Sequence, residues 1–133
     1  MIPELDQHGN LPPGIHPATL VEVEERFGRN TEVRRAEIES LRWLVDLAQR
    51  AGVERLIVNG SFTTDVFEPN DVDCVLLMGH GFPRDRRAFR DLRKGLPFIH
   101  MQLVRQKGFD RLVNRVFATD RWANAKGVVE VLL

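Results

Sequence analysis

The chain has one cysteine, no tyrosine and no net charge, and each shortage excludes something. A lone Cys74 has no mate, so an intrachain disulfide and a thiolate-rich zinc site are both ruled out, and a reducing cytosol is the expected compartment. No uncharged run approaches the length of a bilayer span, so no membrane is expected among the partners. Met1-Ile2-Pro3-Glu4 lacks the basic and apolar regions of a secretory leader, and the expectation is a cytoplasmic protein. Internal repeats and low-complexity tracts are missing too, which removes solenoids and disordered tails. With no tyrosine and no phenylalanine ladder beside them on a strand, Trp43 and Trp122 read as packing anchors rather than as base-stacking platforms.

What is present is one domain's worth of chain, 133 residues with 43% apolar side chains, enough to bury a core. Basic and acidic residues number 19 each, but they are not evenly spread. Residues 1–83 carry 7 basic and 14 acidic side chains, whereas residues 84–133 carry 12 basic and 5 acidic. The C-terminal segment is therefore electropositive, suited to phosphate or to an acidic partner.

Residues 1–16, rich in Pro and Gly, read as an extended N-terminal arm, and 17–133 as a single domain. Pro17 suits the first turn of a short helix ending near Phe27 at Gly28. Asn30 or Thr31 caps a longer helix to Ala51, stopped by Gly52, with Ile38, Leu41, Leu44, Val45 and Ala48 at helical spacing. Val53–Asn59 is β-branched and strand-like, and Gly60-Ser61 breaks it. A polar connection leads to a second strand, Asp71–Met78. An arginine-rich exposed helix follows over residues 84–94, then a strand over Pro97–Val104. Phe109, Leu112, Val113, Val116 and Phe117 keep amphipathic helical spacing, and Val128–Leu133 closes the chain as a strand. Irregular alternation of helices and strands predicts an α+β fold, a small mixed β-sheet flanked by helices.

One constellation carries chemistry: Asn59-Gly60-Ser61, then Asp71-Val72-Asp73 opening a strand. Period-two alternation sends Asp71 and Asp73 to one face, and paired carboxylates are most easily tolerated where Mg²⁺ (or Mn²⁺) resolves their repulsion. Gly60 allows close backbone approach, and Ser61 offers a hydroxyl and an amide to a phosphate oxygen. Taken alone, Asn70-Asp71 also reads as a simple turn into a strand.

Gly-Ser, about ten residues, then Asp-x-Asp between apolar strands resembles the signature of the nucleotidyltransferase superfamily that includes DNA polymerase beta. The likeness covers roughly residues 31–104 and is nearest to minimal bacterial members, including antitoxins that partner HEPN-type toxins. It implies a nucleotidyltransferase-like fold, with Gly60 and Ser61 gripping a nucleoside triphosphate and Asp71 and Asp73 as the magnesium pair. It also implies transfer of a nucleoside monophosphate to a hydroxyl of a protein or RNA acceptor, with a toxin-like protein as a possible partner in a toxin–antitoxin module. The whole chain is similar as well to an uncharacterised bacterial domain family, through Pro3-x-Leu5, Gly9-x-Leu11-Pro12-Pro13-Gly14-Ile15-His16 and Gly60-Ser61-Phe62 with Pro69-Asn70-Asp71-x-Asp73.

One departure stands out. The superfamily takes a third carboxylate from the strand after Asp-x-Asp, and here that strand reads Phe98-Ile99-His100-Met101-Gln102-Leu103. His100 is the first candidate for that catalytic place, as ligand or proton acceptor, and Glu130 in the terminal strand is the alternative. Arg84, Arg86 or Arg87 is the expected neutraliser of pyrophosphate. The missing acid supports a second reading, a catalytically inactive nucleotidyltransferase fold that acts by binding, as an antitoxin or regulatory partner. A third reading is nucleic-acid binding by the basic 84–126 surface. His8, His16 and His80 read as exposed loop residues, and Cys74 as a core side chain.

Overall fold

The computed structural model describes residues Met1–Leu133 and has the expected α+β architecture, a mixed five-stranded sheet with helices on both faces. The first element is a strand, β1 (Ile15–Ala18), where a helical turn was expected. Pro17 lacks an amide donor, and an edge strand tolerates that because its outer side needs no partner. β1 pairs in parallel with the last strand, β5 (Val128–Val131), so the arm enters the sheet across residue 16. Helix α1 (Leu20–Phe27) begins three residues after Pro17, at a capping box in which Thr19 and Glu22 satisfy each other's backbone amides.

Helix α2 (Glu32–Ala51) starts at Thr31, whose hydroxyl accepts from the Arg34 amide, and stops at Gly52, which takes the left-handed conformation at φ 89°. β2 (Val53–Asn59) then runs into a 3₁₀ turn at Gly60–Thr63, and β3 (Val72–Met78) returns antiparallel to it. Asp85 caps α3 (Arg86–Lys94) by accepting from the Arg87 and Ala88 amides. β4 (Ile99–Val104) pairs in parallel with β3. α4 (Gln106–Arg111) continues into a wider π turn at Leu112–Val116. The spatial order of strands is β1-β5-β2-β3-β4.

The sheet separates two cores of unequal size. Leu56, Val58, Val72, Cys74, Leu76, Val129 and Val131 face α1, α2 and α3 in the larger. Ile57, Val75, Leu77 and Val128 face Phe109, Leu112 and Val113 of α4 and its π turn in the smaller. Cys74 is buried in the larger core, and burial pushes its thiol well above the ordinary range, which keeps it protonated. α4 is short, so the polar ends of β2, β3 and β4 on its face stay open. No helix is long and apolar enough to cross a membrane.

Candidate functional site

Strand register builds the floor of the site. Asn59 of β2 pairs with Asp73 of β3, and Asp73 pairs with His100 of β4, so the three lie in one row across the sheet. Alternation puts them on the α4 side, because Ile57 and Val75, two residues away, belong to the smaller core. His100 Nδ1 donates to Asp73 Oδ1 at 3.0 Å, and the ring is otherwise largely exposed. Asp71 precedes β3 by one residue and is partly buried. Burial raises its pKa, the charge of Asp73 raises it further, and His100 opposes both.

Gly60 is required here on two grounds. Its φ is +81°, a conformation that side chains rarely adopt, and a Cβ would lie 2.1 Å from Asp73 Oδ2. The turn thus packs its backbone directly on the carboxylate, and Ser61 follows at the rim of the cleft. Behind the turn, Arg34 is buried and donates to the carbonyl oxygens of Phe27, Phe62, Thr64 and Val66 at 2.6–3.0 Å. Thr63 Oγ1 donates to the Gly60 carbonyl and Thr64 Oγ1 to the Ser61 carbonyl, so residues 60–66 are tied down along their length.

One helical turn from Arg34, Glu37 is fully buried, and neither carboxylate oxygen has a hydrogen-bond partner. Burial lifts its pKa to about 7, the charge of Asp71 adds to the rise, and Arg34 works against it. Asn59 Oδ1 is likewise buried and unpartnered.

Over this floor lies a cleft of about 530 Å³ with walls from three distant segments: the arm around His8 and Asn10, the loop 60–66, and residues 117–126. The third wall is organised by Asp120. Its carboxylate accepts from the backbone amides of Trp122 and Asn124 and from the side-chain amides of Asn124 and Asn10, at 2.8–3.1 Å. These bonds, the one from Asn10 foremost, hold Asp120 far below the usual carboxylate range. Trp122 stands 77% exposed at the cleft, and Arg121 and Lys126 line it as well. Burial lowers the pKa of Lys126, while the charges of Asp120 and Asp73 hold it up.

The structure therefore brings Gly60, Ser61 and Asp73 to one cleft, with Asp71 beside it and His100 hydrogen-bonded to Asp73. Several expectations are overturned. Glu130 gives both oxygens to Arg55, at 2.9 and 2.6 Å, and so supports the sheet instead of completing a site with the aspartates. Arg84 sits at the other end of β2, where its amide bonds the Ala51 carbonyl. Arg86 and Arg87 open α3 beyond it, a strand length of about 20 Å from Asn59, so none of the three belongs to this site. Trp43 and Trp122 are exposed rather than packing anchors. His16 is half-buried in β1 and within 2.6 Å of the Pro12 carbonyl, not free in a loop.

Asn59 opens the motif read in the sequence, but that its Oδ1 is buried without a partner shows only in the structure. Asn59 carried a signal, being polar at the end of an apolar strand beside the glycine turn. Trp122 reads in the sequence as a packing anchor, and Arg121 and Lys126 only as part of the basic 84–126 surface; tertiary folding alone returns the three to the turn.

Nowhere do three His, Cys, Asp or Glu side chains gather as a closed cage. Asp73 lines the cleft and Asp71 lies two residues before it, outside the lining; an open Mg²⁺ site asks for no more than one or two carboxylates, with water and phosphate supplying the rest.

Taken together, fold and cleft define an α+β protein with a polar pocket at one end of a mixed sheet. The chain belongs to a family of unknown function (DUF6932), matching its profile over residues 3–132. No curated protein and no solved structure matches it.

Proposed function

We propose that this chain is a minimal nucleotidyltransferase-like enzyme of the cytoplasm. It would take a nucleoside triphosphate with Mg²⁺ (or Mn²⁺) and transfer the nucleoside monophosphate to a hydroxyl of a protein or RNA acceptor, in a setting such as a toxin–antitoxin module. The observation that carries this reading is the packing of Gly60 against Asp73 in a row shared with His100, at the floor of an open cleft. In this reading Gly60 and Ser61 hold the phosphates, and Asp71 and Asp73 are the residues that would hold the metal. Bound there, the ion would supply charge neutralisation at the phosphate oxygens.

The chain's own part is positioning and proton handling. With Nδ1–H given to Asp73, the imidazole of His100 keeps Nε2 as the accepting nitrogen. The acceptor oxygen forms its bond to the α-phosphorus as the bond to pyrophosphate breaks, and the hydroxyl proton passes to Nε2. The experiment is incubation of the protein with labelled triphosphates, Mg²⁺ or Mn²⁺ and cell extract. Label transfer by the wild type and none by Asp73→Ala supports the enzyme; no transfer under any condition rejects it.

The second reading, a fold that binds without catalysing, is favoured by one observation: no third acidic side chain joins Asp71 and Asp73. It predicts that a toxin-like partner encoded beside this chain is neutralised equally well by Asp71→Ala and Asp73→Ala. Neutralisation that needs both aspartates returns the choice to the enzyme.

A further inference from the structure

Two residues of the wall at 119–126 and one on the floor beside it have properties that do not serve the fold. Lys126 is 9% exposed, yet its ammonium makes no ion pair and no hydrogen bond, although it lines the cleft. Its stem is packed away while the ammonium opens onto the cleft, where its three donors are free to meet an anionic ligand. Trp122 presents the largest side chain available, 77% exposed, at the same cleft. It is not a loose side chain on a loose loop: its amide is bonded to Asp120, which also ties Asn124 and the arm's Asn10. Finally, Asn59 Oδ1 lies buried and unpartnered on the floor between the two loops.

We propose that this wall recognises the nucleotide: Lys126 receives the outer phosphate oxygens, and the Trp122 indole stacks on the base. The inference rests on the reading of the cleft as a nucleotide site and adds which residues choose the ligand. A nucleotide is the class that answers all three features at once. Its phosphates match a free ammonium, its planar base matches an exposed indole, and its ribose hydroxyls can donate to an acceptor such as Asn59 Oδ1. The cleft volume of about 530 Å³ is in the range of small-ligand sites. Because Asp120 braces the wall from within and Asn10 braces it from the arm, the stacking face is set before the ligand arrives.

The test uses the full chain carrying Trp43→Phe, which leaves Trp122 as the sole indole; Trp43 lies on α2, away from the cleft. ATP, CTP and inorganic tripolyphosphate are titrated in Mg²⁺, with fluorescence reporting on Trp122 and calorimetry reporting on total binding. The triphosphates should quench Trp122, and tripolyphosphate should bind without quenching. Trp122→Ala should weaken triphosphate binding about tenfold and leave tripolyphosphate unchanged, and Trp122→Phe should restore most of the loss. Lys126→Met should weaken both ligands by about tenfold or more. Thermal melts accompany each variant, and Trp122→Ala, altering an exposed side chain, keeps the test decisive should Lys126→Met not fold. Triphosphate binding that neither Trp122→Ala nor Lys126→Met moves by as much as twofold overturns the inference and leaves the transferase reading intact. Binding that follows both residues, without nucleotide transfer, upholds the inference and rejects the transferase. No triphosphate binding by the wild type overturns both.

Discussion

The two ends of the β2–β3 ladder carry charge in opposite ways. At the far end, Arg84, Arg86, Arg87 and Arg90 are exposed and none is paired with a carboxylate. At the near end, Arg34, Glu37, Asp71, Asp73 and Lys126 are buried or half-buried, and each alters its neighbours. Far-end charges are screened by water and salt, so their number matters more than their placement. Near-end charges are few, but low dielectric makes each position consequential. Counting charges along the chain points to the arginine-rich helix; burial points to the other end. A concentration of charge in sequence is therefore a poor locator of a site compared with charge that the fold withdraws from water.

The largest effect expected from this contrast is on stability. Arg34→Met leaves the carbonyls of Phe27, Phe62, Thr64 and Val66 without their donor in the interior, and should cost about 3–5 kcal/mol by chemical denaturation. Arg34→Lys should recover little, because one ammonium cannot reproduce a fork with four acceptors. Arg90→Gln at the far end should stay within about 0.5 kcal/mol of the wild type. Equal losses at both ends would dissolve the comparison.

Next comes the turn itself. Gly60→Ala forces a methyl to 2.1 Å from Asp73 Oδ2 at φ +81°, so the carboxylate must rotate away from His100. Nucleotide transfer should fall about a hundredfold, the usual consequence of moving a reacting group by about 1 Å. The triple change Arg84→Gln, Arg86→Gln, Arg87→Gln should leave transfer within about twofold, since those side chains lie a strand length away, about 20 Å. Loss of transfer in the triple variant would restore the arginines to the reaction.

The third test separates the ends by pH. Glu37 has a folded pKa raised from 4.5 to about 7, so the native state holds its proton more tightly than the unfolded chain does. The stability this confers is complete below pH 4.5 and drains away as pH rises to about 7. Glu37→Gln should remove that slope and leave the variant more stable than wild type at pH 8 by roughly 1–3 kcal/mol. Urea melts at pH 5 and pH 8 measure it, and an unchanged slope would show that Glu37 finds a partner in solution.

How much of this was legible in the sequence follows from the range of the interactions. Strands β2 to β5, the long helix with its Thr31 and Gly52 ends, and the mixed sheet are written in local pattern and were readable. So was the meeting of Gly60, Ser61 and Asp73 in one cleft, because a broken hairpin of two apolar strands allows little else. The start of α1 was misplaced because Pro17 suits a helix start and an edge strand equally, and only its pairing with residue 130 decides. The wall at 119–126 was invisible for a related reason. Its long-range tie runs from Asp120 to Asn10, and the residues just after it, Gly127 and Val128, bond the carbonyls of Leu11 and Gly14; all lie more than a hundred residues apart in sequence, and no local rule encodes them.

The smallest expected effect concerns Glu130, which sequence alone leaves open as a third acid for the metal pair. In the sheet its position faces Ile57, and its side chain lies along the guanidinium of Arg55, which also covers the Phe109 ring at 4.9 Å. The pair is partly exposed, so the surrounding water limits its worth, although two parallel hydrogen bonds make it better than a typical surface pair. Glu130→Gln should then cost about 1 kcal/mol in denaturation, with the loss reduced in high salt. It should not alter Mg²⁺-dependent nucleotide binding, because the Arg55 guanidinium already occupies both carboxylate oxygens. A fall in nucleotide affinity without loss of stability would mean that Glu130 leaves Arg55 when ligand binds. The division between a structural acid in β5 and the acids at the start of β3 that are proposed to hold the metal would then have to be redrawn.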